Sequence, residues 1–172
     1  SVSAQGYGDE VTFDFRAGKT GYRVVKPYYG IEFLKILSEL STPNNPIQNM
    51  KIFSHSYPRG LIMSDWSGFY DMPGPYDNNK AAYLHNLKEF TVNGKILFAP
   101  NSEIIMFGCN LANNGFTREF SVITGGTVIA SHSGVMPEIA GNRETGIFIS
   151  PTYWVKYTHG NMTILGKRIR AW

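Results

Sequence analysis

Two stretches, Met50-Lys51-Ile52-Phe53-Ser54-His55 and Ser102-Glu103-Ile104-Ile105-Met106-Phe107-Gly108-Cys109, decide the fold. Each holds a short apolar run bounded by polar or turn residues, the pattern of a buried strand of about five residues. One stops at a histidine and the other at the chain's single cysteine. Ahead of the first, Gly30 to Leu40 carries Ile31, Phe33, Leu34, Ile36, Leu37 and Leu40 as a wide apolar stripe, which predicts a helix. Pro43 and the Asn44-Asn45-Pro46 loop stop it. With a strand expected at Tyr22 to Val25, this makes a strand–helix–strand step. A second step runs from Ser102 through a helix at Arg118 to Thr124, with Thr117 as candidate N-cap and Gly125-Gly126 as its stop, to a strand at Thr127 to Ala130. Crossovers of this length favour parallel strands, and two of them predict an α/β sandwich. If the His55 and Cys109 strands are parallel neighbours, both residues emerge at the carboxyl edge of the sheet, where open α/β sheets carry their sites.

The pairing has a chemical meaning. A thiol is a poor nucleophile until a base takes its proton, and an imidazole can do so near neutral pH. The same imidazole can then protonate a leaving amine. Two backbone N–H groups facing the developing oxyanion complete an acyl-transfer site.

His55 precedes Cys109 by 54 positions, near the spacing of roughly 50 found in caspases. The order of pieces also resembles the caspase-like cysteine peptidase superfamily: an apolar strand ending Ser54-His55-Ser56, a Gly60-Leu61-Ile62-Met63 segment, an apolar strand ending Gly108-Cys109-Asn110-Leu111-Ala112, and a helix and strand from Phe116 to Ala130 that includes Gly125-Gly126-Thr127-Val128-Ile129-Ala130. The likeness is nearest to the bacterial CHAT-type peptidases and the caspase-like domains of polymorphic toxins, and it covers residues 50 to 135. It implies a caspase-like three-layer sandwich with a mostly parallel central sheet. It also implies Cys109 and His55 as the catalytic dyad, with the backbone N–H groups of Ser56 and Cys109 as oxyanion donors. Ser56 stands where the family has glycine; serine keeps the N–H, and its Cβ matters only if φ must be positive. The strand after the cysteine helps to build the family's substrate pocket, which brings in Ser131 and His132. His132 also ends a strand and is an alternative base. The caspase cysteine signature Gln-Ala-Cys-Arg-Gly is missing.

Composition bounds the alternatives. The chain has 172 residues, 42% of them hydrophobic and 17% charged, which suits one globular domain over 1–172. The net charge of +3 is mild, and Lys167-Arg168-Ile169-Arg170 reads as a solvated end rather than a nucleic-acid site. One cysteine excludes an internal disulfide and a Cys-rich zinc site. No apolar run approaches the 18 residues of a membrane span. No secretory signal is visible, and a start at Ser1 suggests a domain excised from a longer protein. Serine-hydrolase, P-loop, dinucleotide and zinc-hydrolase motifs are all missing, so neither a cofactor nor a metal is expected.

The remaining segments give further expectations. Ser1 to Gly8 reads as a mobile lead-in. Val11, Phe13 and Phe15 alternate with polar residues and predict a strand, paired as a hairpin with Tyr22 to Val25. Trp66 to Asn79 is a long loop between histidine and cysteine, which can act as a substrate lid or pack as an Ω-loop. Asp65, Asp71 and Asp77, in or beside it, are candidates to favour a basic substrate side chain. Asn79 to Phe90 predicts a helix, with His85 on its surface; Lys95 to Ala99 is extended, and Pro100-Asn101 is a turn. Gly146 to Ile149, Tyr153 to Tyr157 and Met162 to Leu165 are strand-like, with His159-Gly160-Asn161 as the turn of a C-terminal hairpin.

Three activities fit these features: a cysteine peptidase acting on a protein or peptide; a catalytically inactive caspase-like module that binds a protein through its aromatic loop; and thiol chemistry on another acyl or amide bond. The toxin likeness further implies an effector secreted or delivered into a target cell, with a cognate inhibitor or immunity protein in the producer.

Overall fold

A computed structural model describes the whole chain, Ser1–Trp172. The chain opens with strand β1 (Val2–Ser3), helix α1 (Glu10–Lys19), helix α2 (Gly30–Leu40) and strand β2 (Ile47–Phe53). Four two-residue strands follow: β3 (Ser56–Tyr57), β4 (Gly60–Leu61), β5 (Phe69–Tyr70) and β6 (Ala82–Tyr83). A short 3-10 turn, Ser64–Trp66, lies among them. Helix α3 (Leu84–Val92), strand β7 (Phe98–Phe107), helix α4 (Phe116–Thr124) and strand β8 (Thr127–Ser131) come next. The chain ends in strands β9 (Met136–Ala140), β10 (Arg143–Ile149), β11 (Trp154–Thr158), β12 (Asn161–Ile164) and β13 (Arg168–Arg170).

The fold is α/β around a six-stranded sheet of order β1-β2-β7-β8-β11-β12. Its pairings β1–β2, β2–β7 and β7–β8 are parallel, whereas β8–β11 and β11–β12 are antiparallel. The sheet is therefore mixed, where a mostly parallel one was expected. The reason is the connection: β7 reaches β8 through helix α4, but only strands lie between β8 and β11, so the chain returns alongside β8 in the opposite direction.

Successive residues of a strand face opposite sides of a sheet, and two cores follow from that alternation. Ile104, Met106, Val128, Ala130 and Ile52 pack under α2, α3 and α4. Ile105, Phe107, Ile129, Phe53 and Trp154 face Phe13 and Ala17 of α1 together with Phe148 of β10. A three-stranded antiparallel sheet, β13-β10-β9, shares this second face with α1.

Several local expectations are corrected. Val11 to Arg16 is helical: Phe13 and Ala17, four apart, face the core, while Val11 and Phe15 are exposed, so the alternation over six residues was coincidental. Residues Tyr22 to Val25 form no strand beyond an isolated Val2–Val25 bridge. The lead-in is not mobile: Val2 and Ser3 extend the sheet beside Ile52 and Phe53, and Val2, Ser3, Ala4 and Gln5 are buried. Helix α3 starts at Leu84 rather than Asn79, where the Asn86 side chain accepts the Tyr83 N–H at 2.9 Å. Pro100 makes no turn; β7 runs through it, and the β2–β7 register shifts between Ile47 and Asn49. The basic end is β13, paired with β10. No helix is long and apolar enough to cross a membrane.

Candidate active site

Phe53 and Phe107 are register partners on the parallel strands β2 and β7. Their rings stack at 4.9 Å with 9° between planes. Two residues beyond each, past the last paired positions, come His55 and Cys109, so both are delivered to the carboxyl edge. There they line one cleft of about 330 Å³, with Asp9, Ser54, Arg16 and Phe148 among its walls.

His55 is held on three sides. Its Nε2 lies 2.8 Å from a carboxylate oxygen of Asp9, and the rings of Phe13 and Tyr7 meet it edge-on at 5.2 and 5.7 Å. Asp9 sits at the N-cap position of α1 in the left-handed region, φ 60°, and makes no side-chain cap bond. A carboxylate there ordinarily accepts from the helix's own N–H groups; here it turns to the imidazole. The turn is closed instead by Glu10, whose carboxylate accepts the N–H of Gly6 at 2.9 Å and of Gly8 at 3.2 Å. Its own N–H, with those of Gly8 and Gly6, holds the Glu10 carboxyl below its ordinary range.

Cys109 lies in a bend after β7, partly buried. The N–H of Val135 points at its sulfur, 3.4 Å away. The N–H of Cys109 itself has no partner in the chain. Asn110 follows in the left-handed region, φ 62°, and its N–H is tied to the Ser133 carbonyl at 2.9 Å. Ser56 donates its hydroxyl to the Cys109 carbonyl at 2.8 Å. It is not among the residues of positive φ, so the serine Cβ is accommodated without strain. Gly108 is required by this arrangement, because a Cβ there would come within 2.2 Å of Ser56 Oγ. Ser54 is buried in the cleft wall, and its hydroxyl has no hydrogen-bond partner.

The sequence candidates thus divide. His55, Ser56 and Cys109 come together. Ser131 does not join them: it is fully buried and donates to Ser150 Oγ at 2.8 Å. His132 stacks on Tyr153 at 4.8 Å and lies outside the cleft, so it is not placed as a base. Asp65 accepts from Asn78 at 3.0 Å, away from the cleft lining. Asp71 and Asp77 both bind Arg59, at 3.2 and 3.3 Å. Asp9 and Arg16 are not among the sequence candidates: Arg16 lies in the segment expected as a strand, and Asp9 lies between that segment and the lead-in. The signal was available: Asp9-Glu10 before Phe13 and Ala17 reads as the start of a helix. No group of three or more His, Cys, Asp or Glu is arranged to hold a metal ion.

No family model, curated protein or solved structure matches the chain.

Proposed function

We propose that this chain is a caspase-like cysteine peptidase in which Cys109 is the nucleophile and His55 the proton shuttle. The observation that carries the reading is the shared cleft: the chain's one thiol and an oriented imidazole line it together, just past the ends of two neighbouring parallel strands. With Nε2–H donated to Asp9, the Nδ1 lone pair is the one left to take a proton.

Chemistry follows from these roles. The Cys109 proton passes to His55 Nδ1, and the thiolate attacks the peptide carbonyl carbon. The carbonyl electron pair moves onto oxygen, where the unpartnered Cys109 N–H and the Ser56 N–H are the expected donors. Collapse breaks the C–N bond, and the imidazolium gives its proton to the leaving amine. Water, deprotonated by His55, then cleaves the thioester and restores the thiol. Asp9 steadies the imidazolium between the two proton transfers, as the third member of a Cys–His–Asp set.

Incubation of a peptide library with the wild-type chain, Cys109→Ala and His55→Ala tests the reading. Cleavage by wild type, lost in both variants, is the expected result. Equal cleavage by Cys109→Ala contradicts it.

A further inference from the structure

A second cavity of about 550 Å³ is built from residues that follow His55 in the chain. Its walls are the side chains of Tyr57, Ile62, Trp66 and Tyr76, and its polar members are Arg59 and Asp77. Two connections tie it to His55. The Ile62 N–H donates to the His55 carbonyl at 2.9 Å, so Ile62 is the residue paired across from the histidine. Tyr7 meets the His55 ring at 5.7 Å and the Trp66 ring at 5.3 Å, and so links the imidazole to a wall of this cavity. Tyr57, on the opposite wall, is two residues beyond His55 and meets Trp66 at 6.3 Å.

The charges of the cavity are already spent. Arg59 bonds Asp71, Asp77 and the Met72 carbonyl. Burial opposes its charge, but the Asp77 and Asp71 carboxylates outweigh that and hold the guanidinium firmly protonated. Asp77 also accepts from the Gly74 N–H at 2.6 Å and the Tyr83 hydroxyl at 3.1 Å, and its side chain is only 4% exposed. An occupant therefore meets aromatic and aliphatic surface rather than a free charge. Trp66 is 40% exposed and Tyr76 83%, so both rings keep surface open to an occupant. Asp65 and Trp66 are consecutive non-glycine residues in the left-handed region, φ 50° and 55°; strain of that kind persists where the fold fixes a side chain in place.

We propose that this cavity is a substrate subsite that receives a large uncharged side chain, aromatic or branched aliphatic, flanking the bond held at Cys109. The proposal rests on the peptidase reading above and adds the class of substrate. Burying such a side chain against Trp66, Tyr57 and Ile62 draws on apolar area and ring-edge contacts, neither of which a charged side chain supplies without a desolvation cost.

The test is covalent labelling of Cys109, in which the thiolate displaces the halide of a tripeptidyl chloromethyl ketone and an S–C bond forms. A series carries Ala, Leu, Phe, Asp or Lys at each of the three positions in turn, and iodoacetamide serves as a probe too small to enter the subsite. The expected result is one position at which Phe or Leu labels on the order of ten-fold faster than Ala, Asp or Lys. That preference, with each rate divided by the iodoacetamide rate of the same protein, collapses in Trp66→Ala and falls in Tyr76→Ala, an exposed position that carries little of the fold. Absence of an apolar preference at every position, a preference for Lys or Asp, or a preference that survives both variants overturns the subsite and leaves the peptidase reading standing. Iodoacetamide labelling that is indifferent to His55→Ala overturns both.

Discussion

His55 Nε2 and a carboxylate oxygen of Asp9 lie 2.8 Å apart, although 46 positions separate them in the chain. The contact makes the N-terminal arm part of the site: β1 lies beside β2, and the turn after it brings Asp9 onto the residue that β2 delivers. His55 and Asp9 are 39% and 61% exposed, so solvent screens the pair and its value lies in orientation more than in stability.

Asp9→Asn is accordingly expected to lower peptide cleavage and Cys109 alkylation on the order of ten-fold with little change in melting temperature. His55→Ala removes the proton shuttle itself and is expected to cost roughly 10²–10⁴-fold. Parallel rate measurements on the two variants check the order; an Asp9→Asn protein as active as wild type removes Asp9 from the mechanism.

Gly108 and Ser56 are fitted to each other. Gly108→Ala places a Cβ 2.2 Å from Ser56 Oγ, so the bend that carries Cys109 must shift, and both stability and thiol reactivity are expected to fall. Ser56→Gly alone loses the hydroxyl bond to the Cys109 carbonyl, worth about 0.5–1.5 kcal/mol. The double variant relieves the collision. A thermal-melt cycle over the four proteins reads the coupling, and strictly additive losses contradict it.

Arg16 and Glu144 fasten α1 to β10 along the cleft wall. Arg16 Nε and Nη2 both reach the Glu144 carboxylate, at 3.2 and 2.9 Å, and the guanidinium lies 5.3 Å from the Phe148 ring centroid. The two side chains are 15% and 17% exposed, so Glu144→Ala leaves a half-buried cation without its partner. The expected loss is about 1.5–3 kcal/mol, measured by chemical denaturation; a variant within 0.5 kcal/mol (about the error of the method) would mean that the arm is held by Phe13 and Ala17 alone.

Carboxylates on the same arm make its stability depend on pH. Glu10 is held below its ordinary value by backbone N–H groups. For Asp14, burial opposes the charge, but bonds from Lys26, Ser3 and Gln5 win and lower it as well. Carboxyls in the unfolded chain titrate near pH 4. Their contribution is therefore present above that pH and is lost as pH falls through the lower folded values. The Gly6 and Gly8 amide resonances are expected to titrate with a midpoint below that of an ordinary glutamate, and an ordinary carboxylate midpoint contradicts the Glu10 turn.

The strands leading to His55 and Cys109 were legible because their last residues, Ile52-Phe53 and Ile104 to Phe107, are buried on both faces of the sheet and so form unbroken apolar runs. Helix α2 was legible because its stripe is broad and Pro43 closes it. The arm was not: Val11, Phe13 and Phe15 mimic a strand, and only Ala17, small and silent, marks the helical face. The mixed character of the sheet was hidden for another reason. Trp154 to Thr158 shows what strand it is, but nothing local says which neighbour it will join. Asp9-Glu10 has the pattern of a helix start, but the place of Asp9 at the site did not follow from it, since its partner is brought to it by the sheet.

The central claim is that His55 activates Cys109, and the lone thiol makes it directly measurable. The rate of Cys109 alkylation by iodoacetamide, followed from pH 5 to 9 in the native protein and in His55→Ala, has a single source of signal. Alkylation that is already fast near pH 6, and that drops in His55→Ala to the profile of an ordinary cysteine, is the predicted result. A slow reaction that rises only above pH 8 and is the same in both proteins would contradict the account and make Cys109 a structural thiol.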